Sequence, residues 1–410
     1  MKINKYKPFV FLYFFLNSVG LPIGLLYTTL LTPFFYIILI FKGKANIILW
    51  FFIFFSPFAI VHFILGTDVF AYIKSTVMLL TVYIFCYITY LFIKNYQHLE
   101  TIFYQLLITN FVLTLIAWAF YFTALNSFFW TTLNISSGMN NFPRLSLLTY
   151  EPSYYSTLLV PLFTFYFLKF FYNTTPSNLL SFLMISLPMI LSFSLGVIAA
   201  LFVSIGIFII FNLLSIKPKR KFLSFATIAL ISGLVLMILL WVLYPDNPIF
   251  QRINNVLIGA DTSGKGRTTE AFMLAYRIAE LKSTWFGVGL GQIKIVGDNI
   301  IRTFYKLPQG DISLAMRIPC VFAETLAMFG IMGAVIRLLV EVYLFFKCRV
   351  YENHFKMILF VFIFIYQFTG SFFTNVAELV IWILSFYSIF LEFNKTSNIN
   401  TIRLSSKKAD

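Results

Sequence analysis

Charge is scarce in this sequence, and negative charge scarcest: 11% of the 410 residues are Asp, Glu, Lys or Arg, and only 15 are acidic. Soluble domains carry about 25% charged residues, so an ordinary water-facing surface is excluded. Cysteine is nearly absent, and Cys86, Cys320 and Cys348 show no paired spacing, which argues against a disulfide framework or a cysteine zinc site. His62, His98 and His354 are scattered, and the loops hold no carboxylate pair at ligand spacing, so metal chemistry has little support. No Ser or Cys nucleophile has a reachable histidine in the loops. A small-residue cleavage site is missing after "MKINKYKPFVFLYFF", so this run reads as a retained first helix.

Apolar bulk is what remains. Hydrophobic residues make up 60% of the chain, with 53 Phe and 23 Tyr, and the mean hydropathy is +0.89. A membrane span needs about 20 apolar residues. By that measure the chain holds about 12: 9–21, 23–41, 46–64, 70–93, 101–124, 152–172, 179–193, 196–215, 222–244, 320–346, 355–371 and 375–392. The expected architecture is an all-α polytopic membrane protein, a single integral membrane domain over 1–410.

The net charge of +15 could suggest nucleic acid, but positive charge gathers on cytoplasmic loops of membrane proteins. Alternate loops are indeed the basic ones: "KGK" at 42–44, "KNYQHLE" at 94–100, "KPKRK" at 217–221, "KCRVYENHFK" at 347–356 and the C-terminal tail. Both termini are therefore expected in the cytoplasm, and no nucleic-acid partner is implied. Two loops on the opposite side, 125–151 and 245–319, exceed what a connector needs, and long loops tend to be functional. Within the larger, "TTEAFMLAYRIAELKSTW" (268–285) repeats Phe272, Ala275, Ile278, Ala279 and Leu281 at helical spacing. An amphipathic helix lying across the outer membrane surface is expected there.

The outer loops carry the candidate chemistry. Most of their basic residues suit a solvated surface, but arginine grips phosphate oxygens bidentately. Arg267, Arg277 and Arg317 stand in or beside ordered elements and are the better candidates for a lipid-linked diphosphate. "GKGR" at 264–267 and "GVGLG" at 287–291 lack the Lys-Ser/Thr of a P-loop and open no βαβ unit, so their glycines read as tight turns. Glu151-Pro152-Ser153 opens the sixth span. Pro152 suits a first helical position and Glu151 suits the positive end of the dipole, so a capping role is one reading. An ionisable group at the membrane edge that handles a proton or pairs with Arg144 is the other. Lys74 fits snorkelling, whereas Glu324 is too short to escape and is a candidate contact. Arg337 and Glu341, four apart, read as a self-neutralising structural pair. "FGIMG" at 329–333 offers small residues for close helix packing.

These residues resemble the O-antigen polymerases of the Wzy type, within the O-antigen ligase/polymerase superfamily. "YEPSYYSTLL", with Arg144 upstream, is similar to the Glu-Pro-Ser start of a span in many such polymerases. "GRTTEAFMLAYRIAELKSTWFGVGLGQ" resembles their outer-loop order of Gly-Arg, amphipathic helix and Gly-x-Gly turn, and "FAETLAMFGIMGAVIRL" resembles the following span. The resemblance implies a GT-C-like, metal-independent glycosyltransferase without cofactors in the bacterial inner membrane. It would join undecaprenyl-diphosphate-linked repeats into O-antigen or a related surface polysaccharide, alongside a flippase and a chain-length regulator. It places Arg144, Glu151 and Arg267 in catalysis, and Lys74, Arg277, Arg317 and Glu324 in substrate binding. The superfamily's ligases resemble the chain in topology, but "DISLAMRIPCVFAE" lacks the histidine they typically use there. Capsule or exopolysaccharide polymerases remain alternatives. A transporter such as the repeat-unit flippase is the rival of another class, although no repeat between halves supports it.

Overall fold

In the computed structural model the described residues are 7–16, 27–96, 98–133, 142–213, 241–243, 250–251, 254–255, 258, 267, 269–305 and 318–395. The expected span 222–244, apart from 241–243, and Arg317 lie outside them. The first eight helices are α1 (Lys7–Leu16), α2 (Tyr27–Phe41), α3 (Ile47–Ile64), α4 (Val69–Asn95), α5 (Leu99–Ala119), α6 (Pro152–Tyr172), α7 (Pro176–Leu191) and α8 (Leu195–Leu213). After these come α9 (Thr269–Glu280), α10 (Ile293–Val296), α11 (Asp298–Tyr305), α12 (Val321–Lys347), α13 (His354–Tyr366) and α14 (Val376–Phe386).

Among the described residues, five helices, α3, α4, α5, α6 and α12, are long and apolar enough to cross a membrane. At 1.5 Å per residue, the 18 residues of α3 reach roughly 27 Å, close to the hydrocarbon thickness of about 30 Å. The exposed faces of α3 and α12 carry Trp50, Phe54, Ile64, Leu339 and Phe346, a surface suited to lipid and costly in water. The protein is a helical membrane protein. Inside, α4, α5, α6, α8, α13 and α14 share one apolar core.

A second core lies beside it, built by the expected long loop. There α9 buries Ala271, Leu274, Ala275, Ile278 and Ala279 against α12. The helix therefore ends at Glu280 rather than 285, and its buried stripe is rotated from the expected one. Leu281 is exposed and Phe272 only half-buried. The apolar face packs on protein instead of lying free for lipid, because three alanines let the two backbones approach closely.

The loop after α9 docks into a break in α12. Gly330 sits at φ +65°, outside helical space. The break leaves carbonyls and amides of α12 without helical partners, and residues 284–289 supply them. Val288 N–H donates to Ala327 O at 3.0 Å and Gly289 N–H to Met328 O at 2.9 Å. In return Ile331 N–H donates to Thr284 O and Met332 N–H to Trp285 O, both at 3.0 Å. A Cβ on Gly330 would lie 2.3 Å from the Trp285 backbone, and one on Gly287 2.5 Å from that of Met328. "FGIMG" thus serves loop docking at a helix break, not helix–helix packing.

The same loop grips the α3–α4 turn. Gln292 exchanges hydrogen bonds with the Asp68 backbone, both at 3.0 Å, and Lys282 Nζ reaches Leu65 O at 2.9 Å. His62 Nε2 donates to Phe286 O at 2.7 Å, leaving Nδ1 to accept from Tyr72 Oη at 3.0 Å. The 125–151 loop departs from an all-helical reading: β1 (Trp130–Leu133) and β2 (Phe142–Leu145) form an antiparallel hairpin, with Thr131 opposite Arg144. Loops expected on one side of the membrane thus gather at one end of the bundle.

Gly330→Ala is expected to lower the melting temperature in detergent markedly, because left-handed strain and a backbone clash together cost more than about 2 kcal/mol. Gly206→Ala, in α8 where a Cβ would meet nothing within 4 Å, should be neutral or gain up to about 1 kcal/mol. Equal melting of the two variants would contradict the docking at Gly330.

Candidate functional site

At the loop-rich end a cavity of about 100 Å³ opens between α6, α13 and the turn before α14. Glu151 and Ser153 line it from the start of α6, Arg267 from the long loop, Tyr366 from the end of α13, and Ser371 and Asn375 from the turn. Two of the expected catalytic residues, far apart in sequence, therefore face one space.

Local geometry explains how Glu151 arrives there. Pro152 takes the first helical position of α6, where its missing N–H costs nothing. Glu151 is the N-cap residue with extended backbone, yet its side chain makes no capping bond. Its carboxylate instead accepts from the Ser153 hydroxyl. Arg267 stands opposite in kind: half-buried, with its Nε sealed from solvent and without a hydrogen-bond partner. A buried N–H of a permanent cation that lines a small cavity is set to receive an anionic oxygen. Tyr366 lies within electrostatic reach of both charges.

The other candidates are placed elsewhere. Arg144 is buried in β2 and donates through Nε to Ser192 O, 3.1 Å away at the end of α7, so it ties the hairpin to the α7–α8 turn. It does not line the cavity. Lys74 and Arg277 are exposed on α4 and α9. Glu324 accepts from Phe373 N–H at 2.6 Å, holding the first turn of α12 against the turn that lines the cavity.

Arg337 and Glu341 are paired at 3.0 Å, as their spacing implies, but they belong to a wider network. Arg337 Nε also donates to Gln367 Oε1 at 2.9 Å and Nη1 to Thr325 Oγ1 at 3.2 Å. Gln367 Nε2 donates to Glu341 Oε2 at 2.7 Å. Glu378, in the first turn of α14, completes the group, with Oε1 3.8 Å from Arg337 Nη2. Sequence reasoning passed over Glu378, Asn375 and Ser371. The signal was present, since Glu378 is the one acidic residue within the apolar run 376–386, and an ionisable residue there is a functional candidate by default.

These contacts separate capping from chemistry. Asn375 Oδ1 accepts from Ala377 N–H at 3.0 Å and Glu378 N–H at 3.4 Å, so Asn375→Ala should cost about 1 kcal/mol in thermal unfolding. Glu151→Gln should stay within about 0.5 kcal/mol of the parent. A Glu151→Gln loss as large as that of Asn375→Ala would show that the carboxylate is structural.

No protein-family model matches the chain, and a search of the curated proteins finds no match either.

Proposed function

We propose that the chain is a polymerase of lipid-linked oligosaccharide repeats, as its resemblance to Wzy-type proteins implies. It would be a twelve-span, GT-C-like glycosyltransferase with both termini in the cytoplasm. The observation carrying this reading is the shared cavity: a buried Arg267 Nε lacking a partner, and a carboxylate at Glu151 that makes no capping bond to the backbone of its helix.

The chemistry follows from those two groups. A hydroxyl of the acceptor repeat attacks the anomeric carbon of the growing chain. The bond from that carbon to the undecaprenyl-diphosphate oxygen breaks, and its electron pair leaves with the diphosphate. Glu151 takes the hydroxyl proton as general base. Arg267, held in place before the reaction, stabilises the charge growing on the leaving group. Attack opposite the diphosphate inverts the anomeric centre. About 100 Å³ suits a phosphate group or a few waters of about 30 Å³ each, so the sugars extend beyond the cavity. Arg144 acts through the hairpin rather than on the substrate, and Arg277, Lys74 and Arg317 remain phosphate contacts of the surrounding surface.

A transporter of the same lipid-linked units is the second reading. Charges within the helices, here the buried Glu341 and Glu378 with the half-buried Arg337, are a feature of transport pathways.

Surface glycans of strains carrying Arg267→Ala or Glu151→Gln distinguish the readings. At normal protein level, polymerase loss should leave glycans one repeat long, with activity at least about 100-fold lower, the usual size of general-base or charge-stabilising effects. Complete loss of surface glycan would indicate a flippase, and polymer left unattached to its lipid a ligase. A full ladder in both variants would remove both residues from the mechanism.

A further inference from the structure

Below the Glu151–Arg267 cavity, and sharing Phe372 and Asn375 with it, lies a second cavity of about 550 Å³ between α3, α4, α12 and α14. Phe51, Phe329 and Trp382 line much of it, while Arg337, Glu341 and Glu378 form its charged wall. One cation therefore faces two carboxylates in a largely apolar space.

The two carboxylates are not equivalent. Glu341 is held by Arg337 Nε at 3.0 Å and by Gln367 Nε2 at 2.7 Å. Glu378 is 2% exposed, and neither of its oxygens accepts a hydrogen bond of ordinary length. Arg337 Nη2 stands at 3.8 Å, and the Ser371 hydroxyl, which accepts from Asn375 Nδ2 at 2.6 Å, lies within reach of the carboxylate but outside ordinary hydrogen-bond geometry. The amides of the first turn of α14 that could have steadied an anion are engaged by Asn375.

Among the described residues, Arg337 is the one cation lining this cavity. Glu324, on α12, contributes further negative charge. Cys320 before α12 and Tyr366 on α13 lie within electrostatic reach of Glu378, and Tyr83 and Cys86 of α4 line the same cavity. On α6, Lys169 lies at the opposite end of the bundle, paired with Glu100. A buried carboxylate whose only ion pair is a long one to a cation already shared with Glu341 is expensive unless it takes up a further cation, and the smallest available is the proton.

We infer that Glu378 is a proton-binding site: within the Arg337–Glu341–Glu378 cluster, Glu378 rather than Glu341 carries the proton that balances the buried charge. The site exchanges through the adjoining cavity, past Asn375. This inference stands on the cluster alone and does not depend on the role of Glu151.

A hydrophobic carbodiimide tests it on the purified, full-length protein in lipid nanodiscs. The protonated carboxyl adds across one N=C bond of the reagent, its proton passing to nitrogen, and the O-acylisourea rearranges to a stable N-acylurea without a leaving group. About 550 Å³ lies within the usual 300–1,000 Å³ range for small-molecule sites, so the reagent fits. Peptide mass spectrometry should find the adduct on Glu378 and not Glu341, falling about tenfold per pH unit above the titration. Added sodium ion should not change the labelling, and Glu341→Gln should retain it. Adduct on Glu341 instead, on neither residue at any pH, or suppressed by sodium ion at constant pH would overturn the inference.

Discussion

The structure turns on a helix that is broken on purpose. Interrupting α12 at Gly330 frees backbone groups in an apolar setting, where each left unpaired costs several kcal/mol. Residues 284–289 supply four replacement hydrogen bonds, two accepting and two donating. Neither side can keep its geometry alone: the break needs the loop for its hydrogen bonds, and the loop needs the break for its docking surface. Glycine is required on both sides because the two backbones nearly touch.

Much of the loop-rich end follows from this clasp. It anchors the segment between α9 and α10, which in turn holds the α3–α4 turn through Gln292, Lys282 and His62. It also sets the first half of α12, whose opening residues bond to Gln367, Gly370 and Phe373 around the turn before α14. That turn contributes Ser371 and Asn375 to the cavity holding Glu151 and Arg267. The long loop between α8 and α12 thus contributes a second small core and part of the wall of a site.

Two charged clusters sit one above the other with opposite imbalances. The upper has a guanidinium N–H without a partner and suits an anion. The lower has a carboxylate without a hydrogen bond and suits a cation. Asn375 separates them while lining both. Low dielectric magnifies each imbalance, since an interior charge pays heavily when it is not matched nearby.

The sequence by itself determined the helical membrane character, the start of α6 at Pro152, the Arg337–Glu341 pair and the glycine turns at 287–291. Each depends on a residue's own transfer energy or on neighbours within a turn or two. Tertiary structure alone decided that Arg267 shares a cavity with Glu151, that Arg144 turns to the Ser192 carbonyl, and that Glu378 joins Arg337. It also decided the rotated stripe of α9, which follows the shape of α12 rather than the best apolar arc. The Trp130–Leu133 hairpin was illegible because four residues per strand leave too little alternation to read. Pairing across a fold depends on which backbones can approach closely enough, and no local pattern encodes that distance.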